Sequence, residues 1–203
     1  MPTIAKIVIT GGPCGGKTTV LSYIRKHFES KGYTVLFIPE TATELIGGGI
    51  CPWTTGTNLD YQICQVELQL QKERIFTQGA MTMPKDKIIL ICDRGLMDNR
   101  VYMSEEDFQT VLKTVGHTEQ EFLDEYDAIF HLVTVADGKP ELYSFENNRA
   151  RYENVEQAVA LDKSLIKAWS KHPHHHIIDN STDMEGKAQR LLVYLSKYLE
   201  SQE

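Results

Sequence analysis

The chain lacks any apolar run approaching the ~20 residues that a membrane-spanning helix needs. Its first residues pass straight into a short β-branched stretch, so a secretory leader is not expected. A basic excess is missing as well: 21 Lys and Arg against 28 Asp and Glu leave a net charge of −7. That balance argues against a nucleic-acid partner held by neutralising backbone phosphates. Cysteine is sparse, with Cys14, Cys51, Cys64 and Cys92 scattered and no C-x-x-C pair, so reduced thiols in a cytoplasmic protein are expected. No internal repeat and no linker divides the 203 residues, and 41% hydrophobic with 24% charged residues suits one globular core. A single domain over residues 1–203 is therefore expected.

What is present begins at residue 7. Ile-Val-Ile-Thr-Gly-Gly-Pro-Cys-Gly-Gly-Lys-Thr-Thr contains Gly11, four residues, then Gly16, Lys17 and Thr18, the phosphate-loop pattern G-x-x-x-x-G-K-[ST]. A β-branched strand candidate precedes it, and a helical stretch with Val20, Leu21, Ile24 and Phe28 on one side follows. The chemistry needs these residue types. Backbone N–H groups from Gly12 and from Cys14, Gly15 and Gly16 through Thr19, with Pro13 shaping the turn without a donor, can wrap a polyphosphate only if glycines allow unusual φ and close approach. The helix opening at Gly16 adds uncapped N–H groups and a positive dipole end. Lys17 is expected at the β- and γ-phosphates, and the Thr18 hydroxyl on Mg²⁺. Cys14, inside the loop, is either a small tolerated side chain or an accessible thiol whose alkylation blocks binding.

Apolar runs alternate with helical periodicity, which indicates βαβ units and an α/β fold with a parallel sheet. Strands are expected at Ile4–Thr10, Thr34–Ile38, Lys87–Cys92, Ala128–Val133 and His175–Ile178. A helix over Asn58–Gln78 carries Leu59, Ile63, Val66 and Leu70 at helical spacing. Helix starts are expected at Ser104 with Asp107, at Thr118 with Glu121, and at a capping box of Thr182 with Glu185. Gly47-Gly48-Gly49 and Gly56 bound a loop carrying Trp53, either a flap over a substrate or partner or an ordinary surface turn.

In such sheets ligands sit outside the carboxyl ends of the strands. Glu40 directly follows the second expected strand, and Asp93 and Arg94 directly follow the third, so all three should converge on the γ-phosphate. Asp93 reads as the second acid of a Mg²⁺ site, with a helix N-cap as the alternative. Arg94 offers a planar fork for phosphate oxygens or an ion pair with Glu40, and the two are compatible. Glu40 is a candidate base or water-positioning group, or else a surface carboxylate. Arg149 and Arg151, in a segment around 141–170, fit either a helical lid closing over the phosphates or a solvated charged face. His172-Pro-His174-His175-His176 offers two same-face histidines, an incomplete metal set, and reads more simply as a polar lead-in to the last strand.

Taken in order, Thr10–Thr19, Pro39-Glu-Thr-Ala42, Ile91-Cys-Asp-Arg-Gly-Leu-Met-Asp98, Ala160-Leu-Asp162, Ala168-Trp169, His172-Pro173 and Ile178-Asp-Asn-Ser-Thr-Asp183 resemble one family over nearly the whole chain. It is the AAA_28 or NadR/Ttd14-like P-loop domains. They include the nucleotide-binding domain of the TRPL translocation defect proteins and, more distantly, the nicotinamide riboside kinase domain of NadR. The resemblance implies a nucleoside-kinase-like P-loop NTPase fold with a five-stranded parallel sheet in order 2-3-1-4-5, helices on both faces and an Arg-bearing helical lid. It also implies a base-contacting loop after the last strand, here Asn180-Ser181-Thr182-Asp183. The domain that follows in the translocation defect proteins has no counterpart in these 203 residues, so lipid binding and trafficking are not carried over.

Two functions are expected from this. One is a Mg²⁺-dependent NTPase or small-molecule kinase that uses ATP or GTP and passes the γ-phosphoryl group to a nucleoside-like acceptor. The other is a regulatory protein that reports its nucleotide state to a protein partner with little catalysis. The guanine motif Asn-Lys-x-Asp is missing, while Asp183 has the chemistry to accept from guanine N1 and N2.

Overall fold

In the computed structural model, residues 2–138 and 154–202 are described. Five parallel strands form the sheet: β1 (Thr3–Thr10), β2 (Thr34–Ile38), β3 (Lys87–Asp93), β4 (Ala128–Leu132) and β5 (His175–Ile178), in spatial order β2-β3-β1-β4-β5. Consecutive apolar residues make the inner strands β1, β3 and β4 because both faces are covered, while the edge strand β5 leaves Ile177 exposed. Ile7 and Ile9 point to one face and Val8 to the other, and all three are fully buried. Helices α1 (Lys17–Glu29) and α7 (Met184–Glu200) cover the Ile7 and Ile9 side, where Ile24, Phe28, Leu191 and Leu195 complete the core. On the Val8 side lie α3 (Asn58–Met81), α4 (Glu105–Val115), α5 (Glu119–Asp124) and α6 (Val155–Ala168), with Phe108, Phe122 and Trp169 buried there. Short α2 (Thr41–Gly47) follows β2, and a 3₁₀ segment, Leu96–Tyr102, follows β3.

The ladder aligns the strand ends that matter. Ile9 pairs with Asp93, Ile38 with Cys92, and Thr10 with His131, so the loops after β1, β2, β3 and β4 leave the sheet side by side. Apart from α1 and α2, each α-helix start is set by a side chain. Thr57 accepts from Asp60 N, Ser104 from Asp107 N, and Thr118 and Asn154 form capping boxes with Glu121 and Gln157. The last helix corrects the expectation from sequence: its cap is Asp183, which accepts from Gly186 N at 2.8 Å, rather than Thr182. A carboxylate at the positive end of the dipole is the stronger acceptor there. Strand β3 extends one residue past the expected end because Asp93 still pairs with Ile9, and α3 runs three residues further, to Met81.

A buried ionic knot braces this frame away from the strand ends. Lys6 Nζ lies 2.7 Å from Glu73 and 2.5 Å from Glu125, while Tyr126 donates to Glu73 and accepts from Leu96 N. Removing Glu73 leaves the buried Lys6 ammonium with only the half-exposed Glu125 and the buried Tyr126 hydroxyl without its acceptor, so Glu73→Ala is expected to cost about 3 kcal/mol or more in denaturant unfolding. Among the described residues, no helix is long and apolar enough to cross a membrane.

Candidate functional site

The loop between β1 and α1 turns back over the sheet edge in conformations that its glycines permit. Gly11 has φ 145° and Gly16 φ 92°, while Cys14 takes φ 57° without being glycine. Space is limiting too. A Cβ on Gly11 would lie 2.1 Å from the Leu132 carbonyl oxygen, and one on Gly15 2.6 Å from the same atom. The expected result for Gly11→Ala is a loss of about 3 kcal/mol or more, from backbone strain and this clash, read as a lowered unfolding midpoint. Within the loop, Gly15 N donates to Gly12 O at 3.2 Å. Helix α1 opens at Gly16 with no side-chain cap and no acidic residue in its first turn, so its positive end is left to face an anion. Thr18 and Thr19 are exposed at that opening.

Lys17 folds over the loop and donates to Gly11 O at 3.2 Å. Burial and the neighbouring Arg94 guanidinium lower its ammonium to about 8, against the pull of Asp93, Glu40 and Asp98. Arg94 stands just past β3 with φ 71°, its own N–H bonded to Ile9 O at 3.1 Å. Its Nε donates to Glu40 Oε1 at 2.5 Å, and its Nη1 reaches Gly11 O at 3.5 Å. Glu40 also accepts from Thr43 Oγ1 at 2.6 Å. Burial disfavours the Glu40 carboxylate, but Arg94, Thr43 and Lys17 outweigh it and hold the group at about 2. The ion pair foreseen between Glu40 and Arg94 is thus formed, at the mouth of the loop.

Asp93 differs from every other acid nearby. Its Oδ1 is buried with no hydrogen-bond partner, and burial raises its pKa despite Lys17, with Glu40 and Asp98 adding to the rise. Asp98 is saturated by contrast. It accepts from Thr10 Oγ1 at 2.8 Å, Trp169 Nε1 at 2.7 Å and Gly95 N at 3.1 Å. Two acids five residues apart have opposite states: Asp98 is committed to the scaffold, while Asp93 keeps a buried oxygen without a partner.

These groups line one side of a cleft of about 1060 Å³. The other side comes from α3, where Tyr61, Gln62, Gln65 and Gln69 face inward together with Asn99, Tyr102 and Pro52. Here the structure corrects the sequence pattern. Of the apolar set Leu59, Ile63, Val66 and Leu70, only Val66 is fully buried, while the stripe Gln62, Gln65, Gln69 and Glu73 is almost completely so. The amides are tied in series: Asn99 donates to Gln69 at 3.0 Å, and Gln69 donates to Glu73 at 3.0 Å. Gln62 Oε1 is buried without a partner. Spacing of 3, 4 and 4 along α3 was the available signal, but it is carried by polar residues, which hydrophobic periodicity does not register.

The remaining candidates fall elsewhere. Asn180 donates from its amide to Thr134 O at 2.7 Å and Asp137 O at 2.9 Å, and accepts from Lys187 Nζ at 2.8 Å, so its side chain holds loops together. Asp183 caps α7, and neither residue lines the cleft. The second half of the expected lid, from Val155 on, is helix α6, with Ala158, Asp162, Leu165 and Trp169 buried in the body. Arg149 and Arg151 lie outside the described residues. The histidines leading into and opening β5 are used in packing: His172 bonds Tyr126 O, and His176 stacks between Phe130 and Tyr194. Among the described residues, no three His, Cys, Asp or Glu side chains gather as a metal site.

A parallel sheet in this order, with a glycine-rich loop leaving its central strand into a helix, defines a P-loop NTPase with a nucleoside-kinase-like fold. The chain belongs to the AAA_28 family, described as an AAA domain, whose sequence model matches residues 6–187. Among solved structures it is similar to deoxyadenosine kinase from M. mycoides, determined with the products dCMP and a flexible dCDP bound. The two share 16% identity over 95% of this chain and 99% of that chain, at a TM-score of 0.58, a likeness of fold. No curated protein matches significantly.

Proposed function

We propose that residues 1–203 act as one Mg²⁺-dependent nucleotide-binding domain, working in the cytoplasm, that moves the γ-phosphoryl group of ATP or GTP to a hydroxyl of a small nucleoside-like acceptor. The observation that carries this is the placement of Lys17, Arg94, Glu40 and the unpartnered Asp93 between the phosphate loop and an uncharged, amide-lined recess. An NTPase that only hydrolyses would need no such recess. Gly11 to Thr19 would cradle the phosphates, with Lys17 leaving Gly11 O for the β- and γ-oxygens.

The donor set fits magnesium. Asp93 Oδ1 is a buried oxygen without a partner, and the exposed Thr18 hydroxyl sits at the start of α1, so these two would hold the ion with phosphate oxygens and waters. Bound there, it would neutralise charge on the β- and γ-phosphates.

Glu40 at about 2 is a poor base while Arg94 grips it, since an effective base titrates near the working pH. Transfer of the Arg94 fork to a phosphate would release Glu40 toward the acceptor hydroxyl and restore its basicity. One binding event would then arm both groups. The loop from Asn180 to Asp183 would flank the base through its backbone, because both side chains are committed. Arg149 and Arg151 would close over the phosphates. Nucleotide with Mg²⁺ is then expected to protect the segment around them from limited proteolysis, and equal cleavage with and without nucleotide would return them to a solvated face.

One observation favours a second reading, a regulatory protein whose nucleotide state is read by a partner. Trp53 is 66% exposed beside Pro52, which lines the cleft mouth, so a change inside the cleft could reach an exposed aromatic surface. A thermal-shift screen of ATP and GTP with Mg²⁺, followed by turnover with and without candidate nucleosides, separates the readings. Nucleoside-stimulated consumption of triphosphate with a phosphorylated product supports transfer; binding without it supports the regulatory role.

A further inference from the structure

Asp162 is 2% exposed, sits on α6, and comes closer to the phosphate loop than any role assigned above requires. One oxygen, Oδ1, takes the Gly12 N–H at 2.7 Å, the His131 Nε2 at 3.0 Å and the Thr134 N–H at 3.3 Å. His131 is fully buried with no partner on Nδ1, and because a carboxylate oxygen only accepts, its Nε2 is the nitrogen that donates to Asp162. The three donors belong to three separate segments: the phosphate loop, β4, and the loop after β4. Room is made for the carboxylate on the loop itself, since a Cβ on Gly12 would lie 2.6 Å from that oxygen. Thr134 extends the tie, its hydroxyl donating to Pro13 O and its carbonyl accepting from Asn180.

A buried carboxylate placed behind an anion-binding loop works against anion affinity by charge alone. Its benefit must lie in geometry. Gly12 is one step before the loop's sharp turn, and misplacing backbone amides by a fraction of an ångström weakens every bond they make to phosphate. We propose that Asp162 is a positioning residue for the triphosphate: by clamping the Gly12 amide it sets the loop's phosphate-binding conformation and ties that conformation to the seat of α6. This rests on the reading of the loop as a nucleotide site. The signal in sequence is an acid on the buried stripe Ala158, Asp162, Leu165 and Trp169, where only apolar residues are otherwise found.

The test compares the full chain with Asp162→Ala and Asp162→Asn, titrated calorimetrically with Mg–ATP, Mg–GTP and inorganic tripolyphosphate. The last probe touches the loop without a base. Asp162→Ala is expected to weaken all three at least tenfold. Asp162→Asn, which keeps an acceptor oxygen for the Gly12 amide, is expected to recover most of that loss. In turnover the defect should fall on KM for nucleotide rather than on kcat, a split that loss of general packing would not produce. Should Asp162→Ala fail to fold, Gly12→Ala takes its place, because its methyl group would lie 2.6 Å from the carboxylate oxygen and force the two apart. It is expected to give the same loss on tripolyphosphate. A folded Asp162→Ala or Gly12→Ala with parental tripolyphosphate affinity would overturn the clamp, as would an Asn variant no better than Ala. A parental chain that binds no triphosphate would overturn the nucleotide reading and the clamp together.

Discussion

Lys17→Met is expected to abolish measurable Mg–triphosphate binding while leaving the ligand-free protein at least as stable at neutral pH. Both halves come from one feature. The ammonium is part-buried beside Arg94 and lowered to about 8, so carrying its charge disfavours the empty fold. That charge is tolerated because phosphate oxygens answer it, and backbone amides alone cannot balance three phosphates. Met keeps the aliphatic stem and removes the charge. Calorimetric titration and thermal unfolding of the same samples check the two halves independently. Parental affinity in the variant would overturn the assignment of the site, and a large drop in melting temperature would mean that Lys17 braces the loop instead.

The second large effect separates Asp93 from Glu40. Asp93 holds a buried oxygen without a partner, whereas Glu40 is already paired with Arg94 and Thr43. Asp93→Asn should therefore erase the magnesium dependence of nucleotide affinity and lower turnover by on the order of 10³, the scale seen when phosphoryl-transfer electrostatics are removed. Glu40→Gln should leave binding within about threefold and slow transfer by on the order of 10² or more, as loss of a positioned base does. Titrations with and without Mg²⁺, with initial rates for both variants, decide it. Identical binding defects in the two would refute this division of labour.

Much of this molecule is legible in its residues. The phosphate loop announces itself because the chemistry demands glycines, a lysine and a hydroxyl at fixed spacing, and the inner strands β1, β3 and β4 appear as apolar runs because both their faces are covered. Glu40, Asp93 and Arg94 could be placed from chain position alone, since a residue directly after a parallel strand must emerge at the ligand edge of the sheet. The caps at Ser104 and Thr118 were readable for a similar local reason.

What sequence could not settle are matters of partnership across long separations. Whether an acid is satisfied depends on atoms far along the chain: Asp98 on Thr10 and Trp169, Asp162 on Gly12 and His131. Asp93 and Asp98 look alike as letters, and only packing leaves one without a partner. The amide stripe of α3 was hidden because its buried face is polar, and helical periodicity is read from apolar residues. Asn180 and Asp183 had the right chemistry for a base contact, but tertiary hydrogen bonds spend the Asn180 side chain on holding the loops, and the local cap of α7 spends that of Asp183. The sequence by itself determined the class of fold and the phosphate-binding loop, because these follow from backbone geometry and strand order. Tertiary structure decided which polar groups are free to act, because a hydrogen bond already made in the scaffold leaves that group unavailable to a ligand.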